Sequence, residues 1–89
     1  MNATTIKKTV LSIIRQREFL IKNNRSNKNK SECLAITKRI KNYVDAYGNK
    51  YTIEGWKRFI KNNLDELFFL VPKNKSGESV KNKLILFIS

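Results

Sequence analysis

The chain has 89 residues, of which 19 are Lys or Arg, 7 are Asp or Glu and none is His, for a formal charge of +12 at pH 7. That length suits one small basic domain over residues 1–89, since chains of this size bury about 60 to 65% of their unfolded surface. The missing His and the lone Cys33 exclude an internal disulfide, a Cys-cluster zinc site, imidazole acid/base chemistry and Ser-His or Cys-His nucleophilic pairs. Trp56, five Phe and three Tyr are enough to build a core without staples. No long apolar run follows the N-terminus or occurs elsewhere, so we expect a cytoplasmic protein with no ordinary export signal and no membrane span.

The first helical pattern covers about residues 5–22, where Ile6, Val10, Ile13, Ile14, Leu20 and Ile21 share one face and Thr4 or Thr5 serves as cap. Asn23 to Lys30 holds no apolar residue and reads as a solvated basic loop. Asn29 with Glu32 forms a capping-box pair that opens a second helix over about 30–47. Its inward face is Cys33, Ile36, Ile40, Tyr43, Val44 and Tyr47, and Gly48-Asn49 ends it in the left-handed conformation. Thr52 caps a third helix over about 52–67, with Glu54 at the positive end of the dipole and a stripe of Ile53, Trp56, Ile60, Leu64, Leu67 and Phe68. Phe69 to Val71 either extends that helix to Pro72 or belongs to a strand. The run Leu84-Ile85-Leu86-Phe87-Ile88 is short for a lone helix, and a strand needs a partner for its backbone groups. We therefore expect a hairpin over about 68–88, turning at Ser76-Gly77 within a loop from Lys73 to Asn82.

The expected fold class is mainly α, with an α+β finish: a three-helix domain followed by a C-terminal β-hairpin. In that architecture most of the chain resembles a winged-helix domain. The resemblance implies that Gly48 to Tyr51 is the turn of a helix-turn-helix, that the helix from Thr52 to about Leu67 enters the major groove, and that Lys73 to Asn82 is a basic wing. The hairpin would be apolar on both faces, Leu84, Leu86 and Ile88 on one and Ile85 and Phe87 on the other. Such a ribbon predicts a homodimer through the C-terminal segment.

The charge points to a polyanionic partner. Codon drift in an AT-rich genome explains abundant Lys, Asn and Ile, but it also enriches Glu, and acids are scarce here. The candidate nucleic-acid contacts fall into groups: Arg25, Lys28 and Lys30 in the first loop, Lys38, Arg39 and Lys41 on the second helix, Lys57, Arg58 and Lys61 on the third, and Lys73, Lys75 and Lys81 in the wing. With no base-reading motif, the expected function is binding of nucleic acid, DNA rather than RNA, as duplex and with low sequence selectivity. The role would be that of a transcriptional regulator or architectural factor of a mobile element or phage, without cofactor, metal or catalysis. The alternative is an inhibitor or adaptor whose basic face blocks the acidic or nucleic-acid-loaded channel of a larger host enzyme or nucleoprotein. A ribonuclease would have Tyr43, Tyr47, Tyr51, Arg39 and Arg58 as raw material, but Tyr43 and Tyr47 already belong to an inward face. Trp56 is assigned to the core rather than to base stacking, and Cys33 to packing. Phe59, about 100° off the apolar stripe, is the candidate exposed aromatic. The first helix carries Lys7, Lys8, Arg15 and Arg17 away from its apolar face, a pattern also seen at membrane surfaces, but that face is expected to meet the core.

Overall fold

Asn2, rather than Thr4 or Thr5, starts the first helix: its Oδ1 accepts from the Thr5 amide at 2.8 Å and its carbonyl from the Ile6 amide at 3.0 Å. In the computed structural model, which describes residues 2–23 and 29–89, this helix, α1, runs Ala3–Asn23 and buries Ile6, Val10, Ile13, Ile14 and Ile21. Most of the expected basic loop, with Arg25 and Lys28, lies outside the described residues. Next, α2 (Lys30–Tyr47) buries Cys33, Thr37, Ile40 and Val44. The Asn29 carbonyl accepts from the Cys33 amide at 2.9 Å, while the side-chain half of the expected capping box is not formed.

Gly48 does not take the left-handed conformation. Its φ is −56°, and α2 tightens into a 3₁₀ turn over Gly48–Lys50. What glycine supplies here is room, because a Cβ would stand 3.1 Å from Val44 Cγ1 and 3.5 Å from Trp56 Cζ2. Thr52 caps α3 (Ile53–Asn62) as expected, its Oγ1 accepting from the Gly55 amide at 3.2 Å. The expected continuous helix to Leu67 is broken at Asn63. Its amide is shared between the Phe59 and Ile60 carbonyls, and its side-chain Nδ2 donates to the Phe59 carbonyl at 2.9 Å. A short helix, α4 (Leu64–Leu70), restarts there, with the Leu67 amide donating to the Asn63 carbonyl.

The expected hairpin over 68–88 does not form, and the winged-helix resemblance falls with it. Residues 68–70 complete α4, Val71 turns extended ahead of Pro72, and Lys75–Ile88 forms a helix, α5. No strand occurs among the described residues. The segment expected to be a hairpin loop is the start of that helix: Asn74 Oδ1 accepts from the Gly77 amide at 2.9 Å, and Glu78 lies in the first turn. Val80, Leu84 and Phe87 then recur at i, i+4 and i+7, so the short apolar run is the end of a helix of 14 residues. Gly77 is buried against the preceding turn, where a Cβ would fall 1.8 Å from the Pro72 carbonyl oxygen.

Packing of α1 against α2, α3 and α4, and of α5 on α3, encloses Trp56, Ile60, Leu67, Leu70 and Leu84, none of which retains exposed surface. The Arg17 Nε donates to the Leu70 carbonyl at 2.8 Å, which satisfies an acceptor at the end of α4 and ties it to α1. Ile53, expected inside, is exposed at the start of α3. The two-faced ribbon that argued for a homodimer is also gone: Leu84 and Phe87 are buried on α5, while Ile85 and Leu86 face outward. No described helix is long and apolar enough to cross a membrane.

Two substitutions test this packing. Gly77→Ala should cost about 2 kcal/mol or more because its Cβ meets backbone, whereas Gly48→Ala, which crowds a side-chain methyl, should cost less than about 1 kcal/mol; urea denaturation followed by Trp56 fluorescence reads both, and equal costs would contradict the close turn. Trp56→Ala should cost about 3 to 5 kcal/mol. Trp56→Phe should cost well under half as much by far-ultraviolet circular dichroism, because the buried indole Nε1 has no hydrogen-bond partner among the described residues and its removal relieves that penalty.

Candidate nucleic-acid interface

Successive residues on a helix point about 100° apart, and this rotation divides the basic groups read from the sequence. On α2, Lys38 and Lys41 line a groove toward α1, together with Glu18, whereas Arg39 lines a cleft toward α3. On α3, Arg58 lines that same cleft, Lys57 lies in a depression against α5, and Lys61 is exposed. Lys73, Lys75 and Lys81 line a shallow groove of about 860 Å³ along α5, and Lys83, which the sequence reading omitted, joins them there and also faces Lys57. Lys30 is exposed in the first turn of α2, away from these grooves. The cations thus surround the molecule in several patches. Among the described residues only two ion pairs draw on them, Arg39 with Glu66 and Lys81 with Glu78, the latter at 3.8 Å.

The α2–α3 cleft brings two guanidinium groups, side-chain amides and several aromatic rings together. Its volume is about 330 Å³, and Arg39, Tyr43, Tyr51, Arg58, Phe59 and Asn62 supply its walls. Phe59, expected to be exposed, is 6% exposed, because the aromatic side chains of α2 cover the flank of α3 that the apolar stripe left open. Its ring stands edge-on to Trp56 at 5.6 Å and stacks on Tyr43 at 5.2 Å with an interplanar angle of 14°. Tyr43 in turn lies 4.9 Å from Tyr47, and both remain about half exposed, contrary to the inward placement expected of them. Tyr51 is half-buried, edge-on to Trp56 at 5.2 Å, and its ring lies over Gly55, where a Cβ would approach it to 3.1 Å.

Rings and guanidinium groups considered for a ribonuclease are therefore neighbours, but the raised Tyr51 phenol suits binding better than proton abstraction. Burial, a hydrogen bond with Tyr43 and the nearby Tyr47 push the Tyr51 phenol up to about 12. A phenol held neutral is a poor general base near pH 7 and a good hydrogen-bond donor. Arg39 is oriented by Glu66 and by the Asn63 Oδ1, whereas Arg58 makes no ion pair among the described residues. Asn62 and Asn63 were not singled out in the sequence. The Asn63 signal was its position inside an apolar stripe, where its amide turns back on the helix carbonyls.

The raised Tyr51 value belongs to the folded state, so its contribution to stability is whole below about pH 10 and is lost as the pH rises toward about 12. Ultraviolet titration of phenolate absorbance should show one late-ionising tyrosine, and Tyr43→Phe, which removes the hydrogen bond, should bring it to lower pH. No family model, curated protein or solved structure matches this chain.

Proposed function

We propose that this chain binds nucleic acid through its phosphates, duplex DNA with low sequence selectivity, as a regulator or architectural factor. The observation that supports the reading is the surplus of outward cations on α2, α3 and α5, on a chain of formal charge +12 whose described ion pairs engage only Arg39 and Lys81. With no wing and with cations on several sides, backbone contact rather than groove reading is the mode this surface suits. Log affinity should fall linearly with log salt, with a slope of roughly −4 to −7 if about five to eight phosphates are engaged. Replacing Arg58 and Lys61 by Ala should weaken binding while leaving the melting temperature within a few degrees, since exposed helix cations contribute little to folding. Absence of binding at low salt, or affinity indifferent to salt, removes this reading.

A second reading is favoured by one different observation. Leu86 is 75% exposed and shares a depression with Ile53, Lys57 and Lys83, an apolar spot edged by cations. Such a surface suits an acidic protein partner with an apolar contact, as an inhibitor or adaptor would require. Retention of the same protein with and without nuclease, lost in Leu86→Glu and accompanied by no binding of free duplex, would establish it in place of the first.

A further inference from the structure

We propose that the α2–α3 cleft seats one unpaired nucleotide of a single strand, with its base against Tyr43 and its phosphate against Arg58. The inference rests on the nucleic-acid reading and deepens it by assigning one site to one chemistry. A stacking surface binds well when it is already fixed, and Tyr43 is fixed from beneath: Phe59 backs it at 5.2 Å, nearly parallel, and is itself held by the buried Trp56. Tyr43 is nevertheless 44% exposed, with Tyr47 at 4.9 Å and Tyr51 at 6.2 Å as tilted neighbours, and a base would meet it on the part these rings leave accessible.

The polar groups around that ring complement a nucleotide. Arg39 is committed to Glu66 and Asn63, so Arg58 is the guanidinium at this cleft with its donors uncommitted among the described residues, and a guanidinium matches phosphate geometry. The exposed Asn62 amide lies along the same wall, with a donor and an acceptor for a base edge. Among the described residues no carboxylate lines the cleft, and the nearby Glu66 is paired with Arg39. At about 330 Å³ it lies at the small end of ligand pockets, which suits one base and excludes a duplex, whose base faces are stacked away from any ring.

The test is fluorescence anisotropy at low salt, with a labelled oligothymidylate of about 12 nucleotides and a duplex of the same length as probes. Tyr43→Leu should lower single-strand affinity by roughly 5- to 100-fold, the factor carried by loss of one base–aromatic stack, and leave duplex affinity within about twofold. Tyr43→Phe, which keeps the ring, should retain single-strand affinity. Asn62→Glu, an exposed change that brings a carboxylate to the cleft wall and so avoids any question of folding, should lower single-strand affinity more than duplex affinity. If Tyr43→Leu or Asn62→Glu leaves single-strand binding unchanged, or weakens both probes alike, the cleft proposal is overturned while salt-dependent duplex binding still stands. If the wild-type chain binds neither probe at low salt, both readings fall.

Discussion

The burial of Trp56 is the constraint on which the rest of this structure depends. In a chain of this size the core has little stability to spare, and an indole with no exposed surface is its largest fully buried side chain. Placing it requires three elements to converge. The turn after α2 must come close, which the missing side chain of Gly48 permits, and α1 must lie alongside, where Lys7 reaches across to the Asn49 side chain. Tyr51 and Phe59 then stand edge-on to the indole, each such pair worth about 0.5 to 1.5 kcal/mol beyond area burial. Those same two rings form part of the α2–α3 cleft, so the group that organises the core also sets the geometry of the candidate site.

Charge and fold are only loosely coupled in this molecule. The cations lie on helix faces left over after the apolar stripes are buried, and few acids balance them. Self-repulsion of a +12 surface opposes compaction, and spreading that charge around several sides softens the opposition. The same spread gives a polyanion purchase in more than one orientation. Selectivity would have to come from a feature with shape, and the aromatic cleft beside Arg58 has both shape and chemistry.

The C-terminal helix shows how a single turn redirects an apolar segment. Pro72 stops the chain after α4, Asn74 caps the next helix, and Gly77 brings its first turn against the Pro72 carbonyl. Leu84 and Phe87 are thereby directed onto α3, while Leu86 and Ile85 are left outside. An extended tail would have alternated these residues between two faces, but a helix sorts them into one buried stripe and one exposed pair.

Much of this was legible in the sequence, and the part that was not has a common cause. Periodicity located α1, α2 and the start of α3, and the hydroxyl of Thr52 marked its cap, because both are local properties of the chain. Burial of Trp56 and Cys33 followed from the same spacing. The tail reads as a strand from its five apolar residues alone, whereas Val80 and the Asn74 cap extend a helical repeat backward through polar sequence. Tertiary structure alone decided which flank of α3 meets the rings of α2, and so buried Phe59 while leaving Ile53 in solvent. It likewise decided that Arg39 and Arg58, on separate helices, share a cleft while Lys38 and Lys41 turn away from it. A helical repeat specifies the angle between side chains on one helix, but not the angle at which a second helix arrives, and a site built between two helices depends on the latter.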